Sequence, residues 1–450
     1  MICQTIYLAN EKYYDIIRKK FCEVDMKFCA IVCEFNPFHN GHKYLIKKSL
    51  EMSGCDAILC IMGGDFSQRG EPTICDKNVR AQMAISGGAS AVVQIPSYLA
   101  SCNSEIFAQT AIKIATSFKN VTHIAFGSEC GDIRSLTELA TFLNKEPEFY
   151  KARIKRNLQD GFSLGRAKTH ALKECIEEKL VKFTHPDVVN TLLDSPNNVL
   201  GVEYLRALHA SKRNDIIPIT VKRIDELSTS VEKELINFNI SSASAIRDSV
   251  YRSKRINNIK KFMPSGTYAQ FAKSVKTVGI PNLETWSNLA LYRFRTASPL
   301  DLALNYDVVE GIEHKLINSA RENINYEGFI EACSSRRFTR SRIQRITVCS
   351  LLNLRSEYVK HIYEIDKLPY IKLLACKNDE NLLASLSECN TTLITRKQDA
   401  LVAEKDPYAK ILMFAEDKAT QTYSLLIDIT KDQQKELFVS DAYQKTVFVK

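Results

Sequence analysis

The sequence of 450 residues has no apolar run near the roughly 18 residues that a membrane-spanning helix requires. Its first 25 residues also lack the continuous apolar centre of a signal peptide, because charged side chains recur from Glu11 onward. A membrane protein and a secreted protein are therefore both disfavoured. We interpret residues 1–25 as an N-terminal extension without catalytic residues, and we expect a cytoplasmic chain with no membrane partner.

Metal-binding patterns are also absent from the sequence. None of the 14 cysteines belongs to a CxxC pair, and no cysteine–histidine group has the spacing of a zinc finger. Several cysteines, such as Cys29, Cys33 and Cys60, lie inside apolar runs, which is typical of buried, reduced thiols in the cytoplasm. There is no box of carboxylates for a fixed metal ion either, so we expect no metal site in the protein itself.

The sequence does contain enough apolar material for two or three folded domains, since 45% of the residues are hydrophobic and 25% are charged. Apolar runs alternate with helical periodicity in the first half, which predicts parallel strands joined by helical crossovers. The predicted strands are 28–35, 57–62, 91–95, 123–126 and 217–221. We therefore expect a doubly wound α/β domain with a five-stranded, Rossmann-like parallel sheet, whose ligands bind beyond the carboxyl ends of the strands.

The later chain predicts two further regions. The α/β domain is expected to span 26–262, followed by a mainly helical region over 263–368 and a small C-terminal α/β unit over 369–450. Pro264 and Gly266 indicate a linker between the first two regions. Nothing in these patterns indicates the oligomeric state.

The segment FNPFHNGH (35–42) places two histidines around a glycine, directly after the first predicted strand. Glycine-bearing turns also follow the second and fourth strands, at 63–65 and 127–129, so these turns would meet at one edge of the sheet. A helix start with bare amides, glycines and two imidazole donors suits a phosphate. There are two alternatives: His42 merely begins a helix while His39 is a solvated loop residue, or the pair binds zinc, for which no third ligand is evident.

A second motif, ISSASAIRDSV (240–250), follows the fifth predicted strand and contains the serines of a helix N-cap. Arg247 would lie on the first turns of this helix, near the same edge of the sheet. The HxGH and ISSxxxIR motifs together resemble the HIGH-type nucleotidyltransferases and the class I aminoacyl-tRNA synthetases. In those folds the histidines, a serine and the arginine surround the phosphates of ATP.

Longer blocks make the resemblance more specific, and they occur in order between residues 26 and 250: CAIVCEFNPFHNGH, MGGDFSQRGEPTICDKNVRAQMAISGGASAVVQIP, IAFGSECGD, SPNNVLGVEYLRAL and TVKRI. They are similar to the tRNA(Met) cytidine acetate ligase family. That family activates acetate as acetyl-adenylate with ATP and Mg²⁺, and then acetylates the wobble cytidine of elongator tRNA(Met). The sequence departs from the family pattern outside the HxGH, FGSE and SPNN motifs, at Asp65, Asn78 and Gln94.

The resemblance implies, motif by motif, which residues act. His39 and His42 would be catalytic and stabilise charge at the α-phosphate, while Ser244 and Arg247 would meet the outgoing pyrophosphate. Arg69 would pair either with the acetate carboxylate or with a surface acid. In the SPNN motif, Asn198 would bind ATP, and the adjacent Asn197 is the alternative for this role. The implied ATP-binding set is Val32, Cys33, Glu34, Phe35, Asn36, Pro37, Phe38, His39, Asn40, Gly41, His42, Lys43, Tyr44, Leu45, Gly127, Asn198, Arg223, Ile224, Ser244 and Arg247.

Two clusters of basic residues lie beyond these blocks. The first runs over 252–261 and the second over 336–345, and neither contains an acidic residue. Arginines on a helix suit RNA phosphates, with Phe338 or a neighbouring aromatic available for base stacking. The alternative is a solvated helix with many salt bridges. We predict tRNA binding by Arg336, Arg337, Arg340, Arg342 and Arg345.

Two other functions are compatible with the same motifs. A small-molecule adenylyltransferase would transfer AMP to a phosphorylated cofactor precursor, but it would not need the roughly 200 residues after Arg247 or the basic clusters. A non-catalytic RNA-binding protein with a vestigial nucleotide pocket would not need an intact HxGH motif.

Overall fold

The five apolar runs of the first half form the parallel part of a central sheet in the computed structural model, which describes residues 26–224, 239–253, 255–430 and 440–449. The strands are β1 (Phe28–Cys33), β2 (Ala57–Gly63), β3 (Ala91–Ile95), β4 (Val121–Ser128) and β5 (Ile217–Lys222), in the order β5-β4-β1-β2-β3. Every neighbouring pair in this order is parallel. The predicted doubly wound α/β fold is therefore confirmed. Because the order reverses between β1 and β4, the carboxyl ends of these two strands are where a ligand is expected.

Three strands from the C-terminal part extend this sheet, which has eight strands among the described residues rather than the five predicted. β6 (Tyr370–Lys377) pairs antiparallel with β3, and β7 (Thr392–Ile394) and β8 (Val447–Val449) pair with β6. Every residue of β6 except the last is buried. Its backbone pairs with the β3 edge, which would otherwise be open. The segment predicted as a separate C-terminal unit thus completes the sheet of the first domain.

Helices cover both faces of the sheet, since Phe28 and Ala30 of β1 belong to one buried core and Cys29 and Ile31 to another. The helices up to residue 253 are α1 (Asn40–Ser53), α2 (Lys77–Ser86), α3 (Ser97–Ala100), α4 (Ser104–Ser117), α5 (Ile133–Lys145), α6 (Glu148–Gln159), α7 (Leu164–Glu177), α8 (Pro186–Leu192), α9 (Pro196–Ala210) and α10 (Ala243–Ser253). Those after it are α11 (Ser265–Val278), α12 (Leu283–Thr296), α13 (Pro299–Ala303), α14 (Ile312–Glu322), α15 (Tyr326–Cys333), α16 (Arg340–Leu352), α17 (Ser356–Glu364), α18 (Glu380–Ser387), α19 (Lys397–Ala403) and α20 (Pro407–Ser424). Short 3-10 helices are present at Asn257–Phe262 and Asp441–Tyr443. In the part of the chain that the structure describes, no helix is both long enough and apolar enough to cross a bilayer.

The stretch 264–266, predicted as a linker, begins helix α11 instead. Thr267 and Phe271 on this helix are fully buried, and Phe271 belongs to the same core as Ile31 of β1. The side-chain amide of Gln270 also donates a hydrogen bond from Nε2 to the hydroxyl of Ser86 in α2, at 2.8 Å. Pro264 and Gly266 therefore lie at the start of a helix. This helix packs on the sheet domain, so the two residues do not form a linker.

A buried ionic cluster fastens helix α20 to the sheet domain. The ammonium of Lys77 in α2 lies 2.8 Å from a carboxylate oxygen of Asp441 and 3.4 Å from one of Asp65. Glu416 of α20 is 3.8 Å from the same ammonium and accepts a hydrogen bond from Nε2 of Gln94 at 2.5 Å. Burial raises the pKa of Glu416 to about 7. The charges are compensated only as a group, so these contacts tie Glu416 and Asp441 to β3 and α2.

Candidate active site

The two histidines of the HNGH segment cap the start of helix α1, each through its Nδ1 atom. Nδ1 of His39 accepts a hydrogen bond from the amide of Gly41 at 3.0 Å, and Nδ1 of His42 accepts one from the amide of His39 at 3.2 Å. The rings are stacked, with centroids 3.8 Å apart. Since both Nδ1 atoms are acceptors, a neutral ring carries its proton on Nε2. The cap therefore leaves two Nε2–H groups free to donate to a ligand.

Both imidazoles remain neutral at physiological pH. Burial, and then the nearby guanidinium of Arg223, lower the pKa of His39 to about 3. Burial also lowers the pKa of His42 well below its usual range, and His39 and Arg223 add to this effect. The histidines thus act as neutral hydrogen-bond donors, and the positive charge of the site comes from arginines.

Gly41 is needed for the packing of this turn. A Cβ atom at this position would lie 2.9 Å from Cε1 of His39, inside normal contact distance. The amides of His42 and Lys43 are bonded to the carbonyl of His39, so the first turn has few free amides. The prediction that the motif begins a helix is therefore correct, but His39 is the N-cap residue and only 4% exposed, so it is not the solvated loop residue of that alternative.

A buried arginine holds the loops on either side of this turn in place. Arg80 of α2 is fully buried and donates to the carbonyls of Glu34 and Cys75, at 2.6 and 3.1 Å. It also donates to the carbonyls of Gly63, the last residue of β2, and of Gly64, which follows the strand. One guanidinium thus satisfies backbone acceptors after both β1 and β2, and so orients the edge of the sheet where the histidines lie.

Arg247 reaches this edge from helix α10. The hydroxyl of Ser242 accepts from the amide of Ala245 at 3.1 Å and caps the helix start. The guanidinium of Arg247 donates to the carbonyl of Asn36 at 2.9 Å and lies 3.5 Å from the hydroxyl of Ser244. Arg247, Ser244 and both histidines line one cleft. The two motifs, about 200 residues apart in the sequence, therefore form one site.

A side pocket of about 350 Å³ opens next to the histidines and is lined by Gly127, Arg223 and Ile224. A Cβ atom at Gly127 would approach no protein atom closer than 3.4 Å, so packing alone does not require glycine here. The missing side chain leaves the end of β4 open toward the pocket. Such a space beside a helix start is suited to a nucleoside.

Most of the predicted ATP-binding set faces these two cavities. The members that line one or both are Val32, Cys33, Glu34, Phe35, Asn36, His39, Gly41, His42, Tyr44, Leu45, Gly127, Arg223, Ile224, Ser244 and Arg247. Pro37, Phe38, Asn40 and Lys43 line neither cavity. Phe38 packs beneath the turn, against the rings of Phe35 and His42.

Asn198 also faces away from both cavities. Its side-chain oxygen accepts from the amides of Glu129 and Cys130, at 2.9 and 3.2 Å, and only 3% of its surface is exposed. Its neighbour Asn197 lines the cleft, with its side-chain oxygen 3.4 Å from the guanidinium of Arg223. The structure thus places Asn197, which the sequence offered as the alternative, at the site.

The main cleft has a volume of about 1280 Å³, above the roughly 300–1,000 Å³ that is usual for small-molecule pockets. It extends from the histidines to the second basic cluster. Among the described residues, ten arginines and lysines line it against six carboxylates. Arg336, Arg337, Arg342 and Arg345 are among the lining residues and Arg340 is not. The cleft therefore has room for more than one nucleotide and an excess of positive charge.

Three of the five arginines predicted to bind RNA are paired with acids. The pairs, with their shortest N–O distances, are Arg337–Glu310 (2.5 Å), Arg340–Glu327 (2.5 Å) and Arg342–Asp307 (2.8 Å). Among the described residues, no carboxylate pairs with Arg336 or Arg345. The Nε atom of Arg345 is buried without a hydrogen-bond partner. The salt-bridged alternative thus describes part of the cluster, and Arg336 and Arg345 carry its uncompensated charge.

Phe338 is not available for stacking, contrary to the prediction. It is 8% exposed and packs in the core of the helical region, beneath the guanidinium of Arg342. The partly exposed aromatic in the cleft is Phe162, in the loop between α6 and α7. No sequence motif marked Phe162, because its neighbours in the cleft come from distant parts of the chain.

The remaining predictions concern acetate, metal and the first basic cluster. Arg69 is exposed and lines the cleft, with no described carboxylate as partner. No group of three or more potential ligands that could hold a metal ion occurs in the ranges that the structure describes. The described residues of the 252–261 cluster do not line the cleft. Lys254 and the extension 1–25 lie outside the described residues.

Comparisons with known proteins agree with this geometry. Residues 26–437 match the model of the HIGH nucleotidyl transferase family. The tRNA(Met) cytidine acetate ligase of a Thermoanaerobacter species is 34% identical over 404 residues, which cover 89% of this chain and 95% of that protein. The enzyme of the same name from Caldanaerobacter subterraneus subsp. tengcongensis is 36% identical over 350 residues, 78% and 83% of the two chains.

A solved structure extends the likeness to three dimensions. The crystal structure of Thermotoga maritima TmcAL bound with alpha-thio ATP has a TM-score of 0.81 and 26% sequence identity to this chain. The match covers 94% of this chain and 100% of that one. The apo structure of the same protein gives a TM-score of 0.83.

Proposed function

The chain belongs to the tRNA(Met) cytidine acetate ligase family of HIGH nucleotidyl transferases, and from this premise we propose that it uses ATP to acetylate the wobble cytidine of elongator tRNA(Met). The observation that carries the proposal is a single cleft. It contains two neutral imidazole donors and Arg247 at one end, and the arginines without acidic partners at the other. The product is N4-acetylcytidine.

The first step activates acetate, because a free carboxylate is a poor acyl donor. A carboxylate oxygen attacks the α-phosphorus of ATP, the bond to the bridging oxygen of the β-phosphate breaks, and pyrophosphate leaves with acetyl-adenylate remaining. Negative charge increases on the α-phosphate oxygens, where the Nε2–H groups of His39 and His42 donate. Arg69, exposed in the same cleft, is suited to hold the acetate carboxylate during the attack.

Arg247 and the side pocket hold the two ends of ATP in this proposal. The guanidinium of Arg247 lies beside the HNGH turn, donates to the carbonyl of Asn36 at 2.9 Å and lies 3.7 Å from a carboxylate oxygen of Glu71, so its remaining N–H groups can donate to the leaving pyrophosphate. The nucleoside occupies the pocket lined by Gly127, Arg223 and Ile224. Mg²⁺ that accompanies ATP would supply neutralisation of charge on the leaving group, and no group of three or more described side chains would hold it as a fixed metal.

The second step transfers the acetyl group to RNA. The exocyclic amine of cytidine attacks the acetyl carbon, the carbon–oxygen bond to AMP breaks, and the amine loses a proton as the amide forms. A base in an anticodon loop is unpaired, so little unstacking is needed to bring it into the cleft. Arg336 and Arg345 contact the RNA phosphates, since no carboxylate in the described part of the chain pairs with them and both line the same cleft.

The proposed site of action is the cytoplasm, where tRNA is modified. The 12 cysteines that the structure describes are all free thiols, and such thiols are stable in a reducing compartment.

The test combines two measurements on purified protein. We expect pyrophosphate exchange into ATP that depends on acetate but not on tRNA. We also expect incorporation of labelled acetate into tRNA(Met), detected as N4-acetylcytidine by mass spectrometry. Exchange that needs no acetate would indicate a small-molecule adenylyltransferase, and no exchange under any condition would indicate an RNA-binding protein without catalysis.

The RNA contacts are tested separately with Arg336→Ala and Arg345→Ala. Each lost phosphate contact should flatten the dependence of log affinity on log salt by roughly 0.7–0.9. Acetate-dependent exchange without tRNA should be unchanged. Arg321→Ala, which removes an exposed arginine outside the cleft, is the matched control. Loss of exchange together with RNA affinity would contradict the proposed role of these arginines.

A further inference from the structure

Phe162 is held in the cleft by a fixed turn. Helix α6 ends at Gln159, and two residues later Gly161 has a φ of 83°, in the left-handed region that favours glycine. The amides of Gly161 and Phe162 bond back to the carbonyls of Leu158 and Asn157, at 3.1 and 3.2 Å. The following helix α7 begins at Leu164. The ring therefore projects from a defined backbone position, and no core contact buries it completely.

The Phe162 ring contacts two other planar groups. The guanidinium carbon of Arg336 lies 3.8 Å from the centre of the Phe162 ring, and the imidazole of His170 lies 4.5 Å away at an angle of 38°. Arg336 and His170 are exposed, and all three residues line the main cleft. The three groups come from two distant parts of the chain, residues 162–170 and the loop around residue 336. They form one cluster of planar groups that lines the cleft.

This arrangement differs from an ordinary structural anchor. The Arg336 and His170 side chains reach solvent, and the cluster lines a cleft with excess positive charge, so a ligand in the cleft can contact these flat groups. Arg336 packs on the Phe162 ring, is exposed and has no acidic partner among the described residues, so part of its guanidinium remains accessible to another flat group. Proteins that bind single-stranded RNA stack its bases on aromatic rings and on arginine planes in just such basic grooves.

We propose that Phe162, with Arg336 and His170, is the stacking site for an unpaired base of the RNA substrate. The base stacks against this group while the imidazole pair at the other end of the cleft faces ATP. The inference rests on the proposed function, since it assumes that RNA enters the cleft. It adds a binding contact that acts through the base rather than through a phosphate.

The decisive variants are Phe162→Leu, which removes the flat ring and keeps an apolar side chain, and Phe162→Tyr, which keeps the ring. Removing a stacking ring weakens RNA binding by about 5- to 150-fold. We expect a loss within this range for the leucine variant and near-normal affinity for the tyrosine variant. The salt dependence of binding should stay as in the unmodified protein, because no phosphate contact is lost.

The base itself can be identified with tRNA(Met) molecules that carry one abasic nucleotide at successive positions of the anticodon loop. One position should weaken binding to the unmodified protein and have little further effect on Phe162→Leu, because both changes remove the same contact. Phe149→Leu, a partly buried aromatic on α6 outside the cleft, is the control for effects on folding.

The outcomes separate this inference from the proposed function. Acetate-dependent exchange by the unmodified protein tests the proposed function and does not involve Phe162. If that exchange is present but Phe162→Leu binds tRNA normally, or every abasic position weakens both proteins equally, the stacking site is refuted. If Phe162→Leu weakens binding and also reduces the salt dependence, the contact is with phosphate and the inference is wrong.

Discussion

Substitutions of His42 can separate its two roles, because the structure assigns them to different ring nitrogens. Nδ1 accepts the amide of His39 and stabilises the start of α1, while Nε2–H is free to donate to ATP. In His42→Asn, the side-chain oxygen can replace Nδ1 as acceptor, but no donor reaches the position of Nε2. In His42→Ala, both functions are lost.

The expected magnitudes differ for stability and for catalysis. Loss of a helix cap costs about 0.5–2 kcal/mol, so His42→Ala should unfold at a lower temperature than His42→Asn. Loss of one donor to the charged transition state lowers the rate by about 100- to 1,000-fold, and this should affect both variants alike. The assays are thermal unfolding and acetate-dependent pyrophosphate exchange, with the exposed His209→Asn as control.

Two results would refute this reasoning. If His42→Asn retained exchange within about 10-fold of the unmodified protein, Nε2 would not be the group that stabilises the α-phosphate. If the asparagine and alanine variants were equally unstable, the Nδ1 cap would not contribute to the fold.

Three further predictions follow from buried groups and close contacts. The pKa of His39 is about 3 in the folded protein against 6.5 for the unperturbed ring, so the unfolded chain binds a proton that the folded chain does not. The free energy of unfolding should therefore fall by about 2 kcal/mol between neutral pH and pH 5. Urea unfolding of His39→Asn should show a weaker dependence on pH. Lys77→Met would leave the buried carboxylates around it without a counter-charge and should lower the free energy of unfolding by about 3–5 kcal/mol, so an unchanged urea midpoint would contradict the ionic cluster. Gly70→Ala should destabilise the protein by at least about 1–3 kcal/mol, because the φ of Gly70 is 82° and the new Cβ would lie 2.3 Å from the amide nitrogen of Arg345. Thermal unfolding tests this, with Gly165→Ala as the control because a Cβ atom there would meet no atom within 4 Å.

The sequence alone determined the elements that depend on local pattern. The five parallel strands were predictable because uninterrupted apolar runs separated by helical periods specify strands buried on both faces. A helix start after the first strand was also predicted, but at His42, whereas His39 is the N-cap residue in the structure. The position of Arg247 near the HNGH motif was also predictable. Each of the two motifs follows a strand, and parallel strands bring their carboxyl ends to one edge of the sheet.

The tertiary structure decided which distant groups meet. The arginine cluster contains no acidic residue, but acidic residues from other parts of the chain pair with its arginines. Asp307, which pairs with Arg342, is 35 residues away in the sequence. Phe338 and Phe162 could not be distinguished by sequence, because burial depends on which helices pack over each ring. The same limit concealed the pairing of β6 with β3, since an open strand edge accepts any segment whose backbone and apolar side chains fit it. Local periodicity specifies which side of an element is buried, but only the packed chain specifies what lies against it.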